Sequence, residues 1–452
     1  MNRMHRSIKP LLPFARRFRE AGHELYLVGG AVRNLQLAKE PVDFDFATDA
    51  TPEQVKAIFR KVLPTGVQHG TVTVLYKGAQ YEVTTFRTES DYSDGRHPDS
   101  VEFASTIEED LSRRDFTINA MALELPSGEL SDPYDGRGDL KRGVIRAIGN
   151  PKERFHEDGL RVLRAVRFAA QLDFQISEET FEAMRVEGER LDKVARERVR
   201  DELEKAILSD NPARAMRLLR DAQLLPYTIP ELAETIGRSQ GSDSSYDLFE
   251  HSVLVTQFVP ANLELRLAAL FHDVAKAWTL EETEDGRLAF PDHDRQSAEV
   301  AEERLKELRF PNRTVEQAAH LVRHHMFGYS SEYGDAALRR MLARVGTEAM
   351  MELITLRRAD VAGKRGKVVP VPEMDELQDR LSRILSEKSA LTRRDLAVNG
   401  RDLMEEARIP RGPVLGQVLD LLLEAVLDDP EMNEREKLLR LARNIYRERI
   451  SR

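Results

Sequence analysis

The sequence predicts an α+β protein: an α/β head over about the first 150 residues, then helical segments to the C-terminus. Before residue 135, short runs rich in Val, Tyr, Phe and Thr (ELYLVGG, DFDFAT, TVTVLYKG, YEVTTFR, SVEFA) alternate with helical patterns, as strands on a half-buried pleated surface do. Beyond 150 the strand signals almost vanish, and apolar residues recur at helical spacing, as in EDGLRVLRAVRFAAQL and ERVRDELEKAILS. The length of 452 residues exceeds one ordinary core and, at about 150 residues per domain, suggests about three.

In chain order, MNRMHRSIKPLLPFARRFREAGHE is basic, with Arg and Lys interrupting its apolar residues. It reads as an amphipathic helix stopped near Gly22, not as a secretion signal. No run of about 18 apolar residues follows, so no membrane segment is expected. A cytoplasmic protein is predicted, with no obligate protein partner evident. Hydrophobic residues make up 41% and charged residues 32%, enough to build cores and stay soluble. The absence of cysteine excludes disulfides, zinc–thiolate sites and thiol nucleophiles, so any metal must rest on His, Asp or Glu. The polar stretch ETIGRSQGSDSSYD (234–247) reads as a linker, and GKRGKVVPVPEMDE (363–376) as a further boundary. The expected divisions are a head over 1–150, a helical neck over 151–233, a helical unit over 247–365 and a helical tail over 377–452. The net charge of −10 argues against a nucleic-acid partner on average. Between Arg137 and Arg167, however, nine basic residues face four acidic ones, a local surplus of five that supplies a basic surface.

The chemistry is concentrated early. In PVDFDFAT, Asp43 and Asp45 are two apart, and alternate residues of a strand share a face. Two converging carboxylates suit Mg²⁺, and paired ions can activate a hydroxyl while neutralising a leaving pyrophosphate. A lone DxD is commonly just two solvated residues, so context has to lift it. Upstream, LVGGAVRN places Gly29 and Gly30 between a strand and a helix, where backbone N–H groups can cradle phosphates. Arg33, one turn further, is in reach of a triphosphate.

GGAVRN, DFDFAT, EEDLSRRDFTINAMA, DPYDGRGDLKRGVIRAIG and RFHEDGLRVLRAVRFAAQL follow in that order. This set resembles the class II CCA-adding enzymes and bacterial poly(A) polymerases of the DNA polymerase beta superfamily, strongly over about residues 25–225. The resemblance implies a mixed-sheet nucleotidyltransferase head followed by all-α neck, body and tail domains, the tail binding tRNA. It implies Mg²⁺ on Asp43 and Asp45, and contacts from Arg113, Arg114 and Asp115 to the ribose and triphosphate of the incoming nucleotide, with Asn119 nearby. Asn34 departs from the family, which usually has aspartate after GGxVR; its carbonyl still accepts a hydrogen bond but carries no charge.

Glu157, Asp158 and Arg161 match the family's EDxxR motif. On one helix, Asp158 and Arg161 at i and i+3 would lie side by side. A carboxylate acceptor suits the exocyclic amine of cytosine or adenine, and a guanidinium donor suits a ring nitrogen or cytosine O2. Uracil and guanine would be left mispaired. Arg164 and Arg167 continue the motif, and Glu197 and Arg198 resemble a later one that stabilises the neck. The polar stretch TESDYSDGRHPD, with Asp94 and Arg96, corresponds to a loop that accompanies adenosine addition in the family and that CC-only enzymes lack. No GRRFRLAH-like stretch follows the aspartates, and RRDLAVNGRDLMEEARIPRGPVLGQVLDLLLEAVL resembles CCA-adding tails. The resemblance therefore implies addition of CCA to tRNA from CTP and ATP. The alternatives are an A-adding or poly(A) polymerase, and a phosphohydrolase with an RNA-binding head.

FEHSVLV, ALFHDVAK and LRRADVAGK supply His251, His272, Asp273 and Asp360. They resemble an HD phosphohydrolase domain. Their N and O donors suit Ni²⁺, Mn²⁺ or Co²⁺. His293, His324 and His325 are candidates for a second ion or a substrate phosphate.

Overall fold

The computed structural model describes residues 6–41, 43–90, 100–241, 246–284, 288–387 and 390–450. Asp94 and Arg96 of the adenosine-addition loop, and residues 242–245 of the expected linker, lie outside them. The chain divides into two compact units, residues 1–233 with 307–310, and residues 234–306 with 311–452.

In the first unit, α1 (Leu12–Glu20) carries Pro13 in its first turn and buries Phe14, Ala15 and Phe18 along one face. Gly22, at φ +84°, turns the chain beyond its end. There follow β1 (Leu25–Val28), α2 (Gly30–Gln36), β2 (Asp45–Thr48), α3 (Pro52–Ile58), β3 (Val62–Gly66), β4 (Thr71–Tyr76), β5 (Ala79–Thr85), β6 (Arg87–Ser90), β7 (Ser100–Phe103), α4 (Ile107–Ser112), β8 (Ala122–Glu124) and β9 (Leu130–Ser131). Seven strands form one mixed sheet in the order β3-β4-β5-β2-β1-β8-β9. The β2–β5 pair is parallel and its neighbours are antiparallel, which is the mixed sheet expected.

Phe14 of α1 fixes one sheet face. Its ring centroid lies 4.7 to 5.5 Å from those of Phe18, Phe46, Phe59, Tyr76 and Tyr81, a cluster whose truncation to Ala at one ring costs about 3–5 kcal/mol. The opposite face packs Val28, Ala47 and Phe86 against Ile107 and Leu111 of α4. Asp45 is in register with Val28 on one side and Glu82 on the other, so it stands at the strand edge of this second face.

The neck follows as α5 (Gly136–Arg142), β10 (Val144–Ile145), α6 (Pro151–Glu157), α7 (Leu160–Leu172), β11 (Gln175–Ile176), α8 (Glu178–Glu187), α9 (Arg196–Ile207), α10 (Pro212–Asp221), α11 (Leu225–Thr228) and α12 (Pro230–Ala233). Apart from the short parallel pair β10–β11 it is helical. α7 packs on α9 and α10.

The second unit is built from α13 (Leu248–Phe258), α14 (Leu263–Phe271), α15 (His293–Glu307), α16 (Asn312–His324), α17 (Asp335–Val345), α18 (Thr347–Arg365), α19 (Pro372–Ser386), α20 (Gly400–Glu405), α21 (Pro413–Asp428) and α22 (Arg435–Ile445). α14 is buried from Leu265 to Phe271, so it runs through the core. α13 and α18 approach closely at Gly363, where a Cβ would sit 2.6 Å from Val255 Cγ2. α21, which carries the LLLEAVL run, packs Val418, Leu422 and Val426 against Leu438 and Ala442 of α22. Among the described residues no helix is long and apolar enough to cross a membrane.

Candidate functional site

Gly29 ends β1 at φ +66° and ψ −135°, backbone that favours glycine. A Cβ there would lie 3.4 Å from Arg114 Nη1 and 3.9 Å from Asp45 Oδ2, so the turn brings backbone against both side chains. With Gly30, Arg33, Asp45, Arg113, Arg114, Asp115, Asn119, Asp158, Arg161, Arg164, Arg167 and Arg198 it lines one cleft of about 430 Å³. Nearly every site residue expected in the head and neck converges there. Asp43 lies just before β2, outside the strand, and is exposed. Burial raises the pKa of Asp45, opposed by Arg114 and reinforced by Asp43, so cations are favoured beside this pair.

The arginines are held by carboxylates, two of which the motif reading missed. Buried Asp110 accepts from Arg113 Nε at 3.0 Å and from Arg114 Nη2 at 3.2 Å. Burial alone would raise its pKa, but the two guanidiniums outweigh that and lower it. Asp115 accepts from Arg164 Nε at 2.7 Å, Asn119 Nδ2 at 3.1 Å and the Phe116 amide at 2.8 Å. Against the opposing effect of burial, these partners bring its pKa down to about 2. Buried Glu202 meets Arg167 Nε at 2.6 Å and Arg164 Nη1 at 3.7 Å.

Arg33, Arg164 and Arg167 surround the Phe168 ring at 5.0, 5.3 and 4.1 Å, within cation–π range. Arg33 Nη1 donates to Asn119 Oδ1 at 2.6 Å, and its Nη2 reaches Asn34 Oδ1 at 3.4 Å. Asn34 thus offers a dipole where the family has a charge. Burial and the charge of Arg167 lower the pKa of Arg33 to about 10, so it stays cationic at neutral pH. Arg33 Nε and Arg114 Nε are buried with no hydrogen-bond partner among the described residues.

One expectation is corrected. Asp158 and Arg161 do not share a helix: α6 ends at Glu157, Asp158 is extended (φ −140°, ψ 104°), and Arg161 belongs to α7. The physical reason is Gly159, where a Cβ would lie 2.8 Å from Arg190 Cβ, so the chain turns tightly against that segment. Arg161 pairs with Glu157 and donates to the Arg154 and Arg113 carbonyls at 2.9 and 3.0 Å. Asp158 is gripped instead by Arg198. Both still line the cleft. Glu82, exposed and in register with Asp45, is a third carboxylate at this edge. Its signal was the acidic residue inside YEVTTFR, but only strand pairing reveals its neighbour. Of the local basic surplus, Arg161, Arg164 and Arg167 face the cleft, whereas Arg142 and Arg146 neutralise buried Asp139.

In the second unit, His251, His272, Asp273 and Asp360 are brought together with donor atoms all within 4.8 Å of one another. His251 Nε2 lies 3.2 Å from His272 Nε2 and from Asp360 Oδ1, and His272 Nε2 lies 3.3 Å from Asp273 Oδ2. Burial lowers the pKa of His272, but Asp273 and Asp360 outweigh it and raise it to about 9. Asp273 also forms a buried group with His293 and His325. His324 is corrected: its ring packs on His320 at 4.6 Å, because neighbouring helical residues diverge and only His325 continues the Leu321–Val322 buried face.

The fold and the cleft define a nucleotidyltransferase head joined to helical domains. Residues 25–146 match the Poly A polymerase head domain family, 173–236 the Probable RNA and SrmB-binding site of polymerase A, and 279–442 the tRNA nucleotidyltransferase domain 2 family. The CCA-adding enzyme of Ligilactobacillus salivarius (strain UCC118) is 35% identical over 442 residues, 98% of each chain. That of Limosilactobacillus reuteri (strain DSM 20016) is 34% identical over 440 residues, 97% of each. The crystal structure of the Bacillus stearothermophilus CCA-adding enzyme in complex with CTP aligns at a TM-score of 0.77 and 31% identity, covering 99% of this chain and all of that one. The chain belongs to the CCA-adding enzyme family of tRNA nucleotidyltransferases.

Proposed function

We propose that the chain adds CCA to tRNA 3′ ends from CTP and ATP, without a template, in the cleft of the first unit. In this reading the Gly29–Gly30 turn, Arg33, Arg114 and Arg167 bind the triphosphate, and Arg164 orders Asp115 and Asn119 beneath it. The 3′-hydroxyl of the tRNA attacks the α-phosphorus, the bond to the β-phosphate breaks, and pyrophosphate leaves. Asp43, Asp45 and Glu82 present oxygen donors alone, the set that fits Mg²⁺. Two such ions would acidify the hydroxyl and neutralise the leaving group. Asp158 accepts the exocyclic amine of cytosine or adenine and Arg161 donates to the base edge. The division into a head over 1–150, a neck over 151–233, a metal-binding helical unit over 247–365 and a tRNA-binding tail over 377–452 is part of the same proposal.

The observation that carries this reading is the pair of buried, unpartnered guanidinium Nε donors of Arg33 and Arg114 in the cleft with Asp45, a site built for an anion. The test uses purified protein with tRNA lacking CCA, tRNA ending in CC, an unrelated RNA and each labelled nucleotide in turn. Two cytidines followed by one adenosine on bare tRNA are expected. Adenosine addition confined to CC ends, or long A tails on unrelated RNA, would contradict it.

A second reading concerns the His251, His272, Asp273 and Asp360 quartet. Separations of 3.2 to 3.9 Å between its donors bracket the edge of a tetrahedron around an ion with bonds of about 2.1 Å, about 3.4 Å. We infer that it holds Ni²⁺, Mn²⁺ or Co²⁺ and hydrolyses cyclic phosphates or phosphomonoesters at tRNA ends. Unchanged hydrolysis by His272→Ala and Asp273→Ala would end this reading.

A further inference from the structure

We propose that Phe168 and Asn34 are positioning residues that hold Arg33 without neutralising it, so that the triphosphate of the incoming nucleotide serves as its counter-ion. The proposal rests on the reading of the cleft as a triphosphate site and names the residues that set its charge.

Charge pairing singles Arg33 out. Seven arginines line the cleft. Six of them stand beside a carboxylate: Arg113 and Arg114 at Asp110, Arg161 at Glu157, Arg164 at Asp115, Arg167 at Glu202 and Arg198 at Asp158. Among the described residues Arg33 pairs with none. Its Nη1 donates to Asn119 Oδ1 at 2.6 Å and its Nη2 to Asn34 Oδ1 at 3.4 Å, both neutral amide oxygens, while its Nε is buried without a partner. The titration behaviour agrees with that difference. Burial lowers the pKa of Arg164, but Asp115 and Glu202 outweigh it and raise it. For Arg33, burial and the charge of Arg167 act together and bring it down to about 10. Arg33 is therefore a cation at neutral pH whose charge only dipoles oppose, and such a group attracts an anion.

Phe168 does for Arg33 what a carboxylate does for the others. Its ring is 4% exposed and is held edge-on by Phe116 at 5.9 Å. It comes one helical turn after Arg164 on α7, and Arg33 reaches it from α2, with the guanidinium carbon 5.0 Å from the ring centroid. An aromatic face attracts a cation through its quadrupole but carries no net charge. The ring thus fixes the guanidinium and leaves its charge whole. A carboxylate at position 34 would hold the same group and cancel it.

The test is isothermal titration of the full chain with CTP and with CMP in the presence of Mg²⁺. The wild type is expected to bind CTP more tightly than CMP. Phe168→Leu and Asn34→Asp are each expected to reduce that preference roughly tenfold, the order of one lost cation–π contact or one added negative charge. Phe168→Tyr, which keeps the ring, is expected to retain it. Asn34→Asp, at a half-buried position, decides the matter if Phe168→Leu does not fold. A variant that weakens CTP and CMP alike, or neither, would overturn the role of that residue and leave the triphosphate site standing. Equal affinity of the wild type for CTP and CMP would overturn the triphosphate site itself.

Discussion

Asp158 and Arg198, forty residues apart, meet in a two-point ion pair, Nη2 to Oδ2 at 2.8 Å and Nη1 to Oδ1 at 3.3 Å. The carboxylate proposed to read the base is therefore aimed by a residue of α9, while Arg161 is aimed separately by Glu157 and two backbone carbonyls. A carboxylate has about four acceptor sites, so the grip of Arg198 leaves capacity for an exocyclic amine.

Arg198→Met releases Asp158 without altering any group proposed to touch the nucleotide. A charge-assisted two-point contact is worth about 2 kcal/mol, roughly 30-fold. Selectivity for CTP over UTP is expected to fall by that order in single-turnover incorporation, with partial recovery in Arg198→Lys. Unchanged selectivity would show that Asp158 needs no external support.

Gly29→Ala places a Cβ at φ +66° and against Arg114. The strain is about 1–2 kcal/mol, and relief requires moving the turn or the guanidinium. A roughly tenfold rise in KM for ATP and CTP is expected, the kinetic equivalent of about 1.4 kcal/mol. Wild-type kinetics would contradict the close-approach role of this glycine.

Asp115 links acid stability to the cleft. Its pKa in the fold, about 2, lies below the unfolded value near 3.8, so its stabilisation is complete above about pH 4 and is lost as pH falls toward 2. The shift corresponds to about 2 kcal/mol. In urea unfolding, the advantage of the wild type over Asp115→Asn is expected to be full at pH 7 and to narrow below pH 4. A gap that stays constant with pH would contradict the assignment.

Glu82→Gln keeps the shape of an exposed strand residue and removes a charge from the Asp45 edge, so stability is expected to change by less than about 0.5 kcal/mol. The Mg²⁺ concentration needed for half-maximal addition is expected to rise roughly 10- to 100-fold. An unaltered Mg²⁺ dependence would remove Glu82 from the metal site.

The sequence made legible what local spacing determines. Gly29, Asp45, the Arg113–Asp115 run and the mixed head with helical successors all follow from short motifs and periodicity, and the structure gathers the motif residues in one cleft. What it hid depends on distant pairing. Glu82 is placed by strand register, Asp110 by a short helix folded beneath Arg113 and Arg114, and Arg198 by the packing of α9 on α7. The break between Asp158 and Arg161 was invisible because a single glycine is tolerated in a helical pattern, and only the nearby Arg190 segment explains why the chain turns there. The choice between His324 and His325 was readable in principle: His325 sits four residues after buried Leu321 and three after Val322, whereas His324 follows His320 by one turn.

The most direct measurement is a crystal structure of this chain with CTP and Mg²⁺. The triphosphate is expected against Gly29, Gly30 and the Nε groups of Arg33 and Arg114, the metal on Asp43 and Asp45, and the cytosine amine on Asp158 with Arg161 at the ring edge. A cytosine bound away from Asp158 and Arg161, or a triphosphate remote from Asp45, would contradict it.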